Sequence, residues 1–385
     1  MNSTNIAERL NGFGPTEIFA AYDLIEGKHG KTPLLYFGTV HHNGVKVDLY
    51  AKMDTLNPGG SFKDRGSLYS MHEALRTHSI MPGGKVVTAS AGNHAQGVAR
   101  AARDYSLRAI IFMSNKTPQK KIDGTKALKA EVILVEGDYH DAAKRAMDHS
   151  AETGDLYIPA YEHENILLGQ SSVVTEAMFQ FRDTGIRPDF FVFPYGGGGL
   201  ANGGGFVSRY FDKTGMFDPN PDSRIFTFGV QARNFNTMVR SFKAGRVVDF
   251  EYRGETIADG IRVPNASPQM LELTKRFIDD MFDVTEDEIK DAIRRVYSSD
   301  LLSDVMKDAA LRERLGFHSN HIQRVDRLNI VEGAAAAAFA CVFGNMIDYG
   351  AIAETNKKKG LVAVVAASGN NIDQRLLDEI LAKTG

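Results

Sequence analysis

The chain has 385 residues, a net charge of −3, 43% hydrophobic and 24% charged residues, and a single cysteine, Cys341. That composition belongs to a globular chain of about two to three domains, and it excludes a disordered, fibrous or disulfide-stapled one. The weak negative charge argues against nucleic acid as a partner.

The N-terminus, MNSTNIAERLNGFGPTEIF, has no basic start followed by an apolar run, so no secretory signal is expected. No stretch approaches the ~20 apolar residues of a membrane span. With one thiol, which suits a reducing compartment, the expectation is a cytoplasmic protein that does not use a membrane. Apolar, β-rich runs predict strands at Val47–Met53, Lys85–Thr88, Ala109–Met113, Val132–Val135, Phe190–Tyr195, Ile225–Val230 and Leu361–Ala366. Helical periodicity fills Ala95–Tyr105, Pro118–Lys129, His140–Thr153 and Ser171–Arg182. Continuous apolar strands alternating with helices predict an α/β fold with parallel sheet covered on both faces. Ligands of such sheets bind beyond the carboxyl ends of the strands. The residues just after each strand are therefore where function is to be sought.

The first such stretch is Asn57-Pro58-Gly59-Gly60-Ser61-Phe62-Lys63-Asp64-Arg65-Gly66. A sharp turn there aims a lysine at the start of a helix. The helix dipole and partial burial both disfavour its charge and make its amine a better nucleophile towards a carbonyl. The second is Ser90-Ala91-Gly92-Asn93-His94, where a strand opens into a helix whose free N–H groups suit a carboxylate. The third is Gly196-Gly197-Gly198-Gly199-Leu200. Four glycines leave main-chain N–H groups unobstructed at a helix start, which favours a phosphate, and the spacing is neither GxGxxG nor GxxxxGK[ST]. Gly203–Gly205 follow closely and are placed at the same phosphate end. The fourth, Ser368-Gly369-Asn370-Asn371, closes the last strand. The thirty-seven glycines, close to a tenth of the chain against an average of about 7%, are concentrated in these turns.

Lysine, asparagine loop, tetraglycine loop and C-terminal Ser-Gly, in that order, resemble the fold-type II pyridoxal-phosphate enzymes, and most of all the threonine/serine dehydratases. Ser90–Gly97, Ile158–Gln170 ending in Leu168-Gly169-Gln170, Thr256–Gly260 and Val331–Ala334 support the likeness, which covers Phe37 to Asp373. It implies two open, twisted, mostly parallel sheet domains with pyridoxal 5'-phosphate between them. The large domain would comprise residues 1–74 and 170–385, with an insertion at 298–327, and the small domain residues 75–169. The resemblance makes Lys63 the catalytic residue and the covalent attachment point. Phe62 would pack on the pyridine ring, Gly196, Gly197, Gly198, Gly199 and Leu200 hold the phosphate, Asn93 bond the phenolic oxygen, and Ser368 face the ring nitrogen. Ser90, Ala91, Gly92 and His94 would hold the substrate carboxylate. A serine at the ring nitrogen keeps that atom weakly protonated, which favours prompt loss of a β-leaving group over transamination. β-Elimination from L-threonine or L-serine to a 2-oxo acid and ammonia is implied, in a homodimer.

The stretch Lys63-Asp64-Arg65-Gly66 is more like threonine synthase and the cysteine synthases, so a replacement enzyme is the alternative, and a non-catalytic scaffold the least favoured. Related serine racemases carry a second serine where this chain has Ala91, so racemisation by that route is not expected. They also bind a divalent cation after a Gly-Val-Glu stretch. Here Gln231 and Thr237 replace the carboxylates, and a hard cation wants charged oxygens, so no metal is expected there. Gln374–Gly385 leave room for one helix, so a form without a regulatory domain is expected.

Overall fold

The computed structural model describes residues 5–182, 184–216, 223–249, 254–299, 330–370 and 372–382. The 298–327 insertion lies outside the described residues apart from its first two.

Two sheets organise the chain. The large one is built from β1 (Leu34–His42) and β2 (Val45–Met53). The small one follows: β3 (Lys85–Ala89), β4 (Arg108–Ser114), β5 (Glu131–Val135) and the two-residue β6 (Leu156–Tyr157), in the order β5-β4-β3-β6, all parallel. The chain then returns to the large sheet with β7 (Phe190–Pro194), β8 (Phe226–Ala232), β9 (Asp280–Val284) and β10 (Gly360–Ala367). The large sheet's order is β1-β2-β10-β7-β8-β9, antiparallel only between β1 and β2. All seven predicted strands are present. The three others were not predicted, and each departs from a continuous apolar run.

Successive side chains of a strand point to opposite faces, and β7 uses this fully. Phe191 and Phe193 join the core that continues across helices Glu164–Arg182 and Gly199–Thr214 towards the small sheet. Phe190 and Val192 join the other core, beneath helices Glu286–Tyr297 and Gly333–Phe343. The latter helix contains Ala334–Ala338, all buried. With only methyl groups on that stretch, its backbone can approach the sheet closely.

The topology places the loops. In the large sheet β2, β10 and β7 are adjacent and parallel. Their carboxyl ends therefore lie side by side and deliver residues 54–63, 368–370 and 195–199 to one edge. In the small sheet β3 sits between β4 and β6 and delivers Ser90–Asn93.

Candidate active site

Lys63 is the first residue of helix Lys63–Arg76. The preceding turn is held by its own polar groups. Asp64 Oδ2 accepts the Gly59 N–H, Asn57 Nδ2 donates to Ser61 O at 3.2 Å, and Asn370 Nδ2 donates to Thr55 O at 3.0 Å. Gly60 has φ +79° and is packed against Asn370, a backbone state that a side chain would strain. Lys63 Nζ donates to the main-chain oxygen of Ala160 at 2.7 Å and lies 4.8 Å from the centre of the Phe62 ring. Burial lowers its pKa to about 8. A desolvated amine of this kind has an appreciable neutral fraction near physiological pH, and that fraction is what a nucleophile or base requires.

The next two residues of the stretch face elsewhere. Asp64 is buried against the Gly59 turn, and Arg65 is fully buried. The Arg65 guanidinium bonds Asp54 (2.7 and 2.8 Å), Glu176 (2.8 Å), Thr32 Oγ1 (3.0 Å) and Ser172 (3.2 Å). Lys52 makes a further ion pair with Glu176. Burial pushes the Glu176 carboxylate up, but Arg65 and Lys52 outweigh it and leave it at about 2. This network ties β2, the lysine helix and helix Glu164–Arg182 together. Asp64 and Arg65 thus serve the scaffold in this chain, facing away from the Lys63 amine.

The tetraglycine loop is a close-fitting cradle. Gly198 has φ +89° and caps helix Gly199–Thr214 without a side-chain bond. A Cβ on Gly197 would overlap the Tyr161 ring, one on Gly199 would overlap Gln170 Oε1, and one on Gly196 would lie 3.2 Å from the Ile261 backbone. Gln170 is buried, with its Oε1 end unpartnered. Gly203, Gly204 and Gly205 do something different from what was expected. A Cβ on each would overlap, in turn, the Leu167 carbonyl, the Phe193 ring and the Phe277 carbonyl, so they serve helix packing and not the phosphate end. Leu200 is buried in the helix behind the loop.

In the asparagine loop Ser90 Oγ accepts the Gly92 N–H at 3.2 Å. Helix Asn93–Asp104 begins with no side-chain cap, which leaves its first N–H groups for an anion. Gly97 of that helix packs 3.0 Å, measured from an added Cβ, against the Lys63 backbone. This brings the loop to the lysine. The His94 ring is turned inward. Its Nε2 faces Ile158 O at 3.2 Å and Thr88 Oγ1 at 3.1 Å. Burial, helped by nearby Lys63, lowers its pKa to about 3. What His94 offers the loop is its main-chain N–H.

Ser368 Oγ accepts the Phe62 N–H at 2.8 Å. The serine hydroxyl thus has an acceptor role filled by the chain and its own proton free to donate. The sequence did not single out Tyr161, Gln170, the Ala160 carbonyl or Glu332. All four sit in stretches that carry the family likeness, Ile158–Gln170 and Val331–Ala334, which was their only signal.

At the residues equivalent to a cation site, Gln231 Oε1 accepts the Val239 N–H at 3.0 Å and Thr237 Oγ1 donates to Pro264 O at 2.8 Å. Arg233 pairs with Asp283 at 2.7 Å. Among the described residues no cluster of three or more His, Cys, Asp or Glu could hold a metal, and no helix is long and apolar enough to cross a membrane.

Residues 25–303 match the family model described as pyridoxal-phosphate dependent enzyme. The chain is 31% identical over 336 residues to the L-threonine ammonia-lyase of Thermotoga maritima, covering 87% of this chain and 70% of that protein. It is 30% identical over 307 residues to a biosynthetic L-threonine dehydratase of Haemophilus influenzae, covering 79% of this chain but only 56% of that longer protein. Among solved structures, the processed form of threonine deaminase isoform 2 from Solanum lycopersicum superposes with a TM-score of 0.72 at 28% identity, over 98% of this chain and 94% of that one.

Proposed function

Because the chain belongs to the family of pyridoxal-phosphate dependent enzymes, we propose that it is an ammonia-lyase that removes the β-hydroxyl and the amino group of L-threonine or L-serine, giving a 2-oxo acid and ammonia. The residues present fit the cofactor. A cradle that any side chain would fill stands at a helix start, a buried amide end is unpartnered beside it, and a desolvated lysine lies within the same site.

The observation that carries the reaction type is Ser368. Its oxygen is engaged by the Phe62 N–H, so it meets a ring nitrogen as a neutral donor and not as a carboxylate. When bound, the cofactor supplies an electron sink for negative charge at Cα; with a hydroxyl partner that sink is shallow, and expulsion of the β-substituent outruns transamination. Lys63 attaches the cofactor and, when freed by the substrate amine, takes the Cα proton at Nζ. Its low pKa suits both tasks. Phe62 packs on the ring. Main-chain N–H groups of Gly196–Gly199 and of Leu200 take the phosphate, and Asn93 bonds the phenolic oxygen. The loop Ser90-Ala91-Gly92 with the His94 N–H takes the substrate carboxylate.

Ala91 carries no proton for the opposite face of Cα, so elimination is proposed without appreciable racemisation. The Gln231 and Thr237 side chains are engaged by the protein itself, which supports activity without a cation at that place. We further propose a cytoplasmic homodimer of two-part subunits, with residues 75–169 as the smaller part. The deciding experiment mixes purified protein, pyridoxal phosphate and L-threonine or L-serine and follows the 2-oxo acid. Absence of product from both sinks the proposal. Faster turnover of O-phosphohomoserine or O-acetylserine would replace it with a replacement reaction.

A further inference from the structure

Glu332 is an acidic residue, 9% exposed, that no step above uses. It precedes helix Gly333–Phe343, and its main-chain N–H donates to Gly369 O at 2.9 Å. That bond fixes it beside the turn carrying Ser368. Its carboxylate oxygens face Asn93 Nδ2 at 3.1 and 3.3 Å. The carboxylate occupies a space cleared by glycines from two other segments. A Cβ on Gly369 would overlap it, and one on Gly260 would lie 2.8 Å from Oε1. Gly369 also has φ +96°. Three segments that are distant in sequence thus converge to seat one carboxylate against one amide.

The chemistry of that contact is directional. An ionised carboxylate only accepts, so it takes the NH2 end of Asn93 and not the carbonyl end. One hydrogen reaches both carboxylate oxygens from the single nitrogen, and the second hydrogen remains. Without the carboxylate, the two ends of the amide would be nearly equivalent in shape, and the side chain could turn its oxygen inward. An oxygen there would face the phenolic oxygen of the cofactor, acceptor against acceptor.

We propose that Glu332 is a positioning residue: it locks the Asn93 amide so that its second N–H is presented to the phenolic oxygen of pyridoxal phosphate. This rests on the reading of Asn93 given above. A charged acceptor makes the lock stronger than a neutral one.

The test is a pH titration of the absorbance of the bound cofactor in the holoenzyme, for wild type, Glu332→Gln, Glu332→Asp, Glu332→Ala and Asn93→Ala. Glu332→Gln keeps the shape but lets either amide end face Asn93, and it removes a negative charge next to the chromophore. Its spectral midpoint is expected to fall by about one pH unit, since a nearby carboxylate favours the protonated form. The concentration of pyridoxal phosphate for half-saturation should rise about tenfold, the worth of one charge-assisted hydrogen bond. kcat should fall with little change in KM, because Glu332 does not touch the substrate. Glu332→Asp, which keeps the charge, should return the midpoint part way. A merely structural role would lower the melting temperature and leave the spectrum of the bound cofactor unmoved. A wild-type midpoint and wild-type affinity in Glu332→Gln overturn the proposal; should that variant fail to fold, a wild-type midpoint and affinity in Glu332→Ala do so. An unaltered spectrum in Asn93→Ala overturns the Asn93 reading itself, and the lock with it. A Glu332→Gln shift in midpoint and affinity that shrinks in the Asn93→Ala background is the coupling the lock requires, the part that persists being the direct effect of the lost charge; an undiminished shift overturns the lock.

Discussion

Lys63 and Arg65 stand two residues apart on one helical turn, Lys63 partly buried and Arg65 completely, and desolvation has opposite outcomes for them. Lys63 finds only a main-chain oxygen, and desolvation lowers its pKa to about 8. Arg65 finds two carboxylates, which outweigh desolvation and push its pKa up. What separates the two cations is above all the partner, since desolvation lowers the pKa of both and only Arg65 has carboxylates to outweigh it. The helix turn points one residue to the carboxyl edge of the strands and the other into the layer between β2 and helix Glu164–Arg182. The buried ion network underneath is what holds the first steady while it changes charge.

The contrast can be broken most severely at Lys63. Lys63→Ala should lower turnover by at least about 10³-fold and abolish the cofactor's covalent attachment band, while the melting temperature of the apoprotein stays near wild type. A large loss of stability would mean that the lysine is scaffold as well. Arg65→Met should do the reverse. It leaves Asp54 and Glu176 buried without their shared cation, a cost of about 3–5 kcal/mol read by thermal or chemical unfolding, with the cofactor spectrum of the folded fraction preserved. Wild-type stability would show that the network is dispensable.

A smaller effect sharpens the electrostatic side. A group with a lowered pKa is protonated below that value and neutral above it, and only the neutral amine attacks. Attachment of pyridoxal phosphate to the apoprotein should therefore speed up as pH rises through about 8 and level off beyond it. A midpoint near the ordinary lysine value of about 10.4 would mean that Lys63 is not desolvated in solution. The smallest expected effect is that of chelation. Treatment with a strong chelator should leave deamination nearly unchanged, and a marked loss restored by Mg²⁺ or Ca²⁺ would refute the metal-free reading of Gln231 and Thr237.

The sequence carried the parts of this molecule whose physics is local. Strands buried on both faces read as apolar runs, and glycine-rich turns after them read as ligand loops. The strands that escaped notice lack that signature. β1 is an edge strand with exposed positions, β6 has two residues, and β9 carries Asp280 and Asp283. The placing of Lys63, Asn93, Ser368 and the tetraglycine loop came from likeness to a family, and the strand order then explains why these loops share an edge. Gly203–Gly205 were misread because a glycine needed for close packing of a helix and one needed for ligand approach look alike in a sequence. Tyr161 and Gln170 stayed hidden because they matter only through Gly197 and Gly199, some 30 residues away, and Glu332 because its partner Asn93 is remote in the chain.

The acceptor for the Lys63 amine is the carbonyl of Ala160. Every residue type carries that atom, so substitution at position 160 alters the surroundings of the lysine without deleting its resting contact. Only displacement of the loop itself would remove it, which makes an insertion or deletion between β6 and helix Glu164–Arg182 a graver lesion than any point change at Ala160.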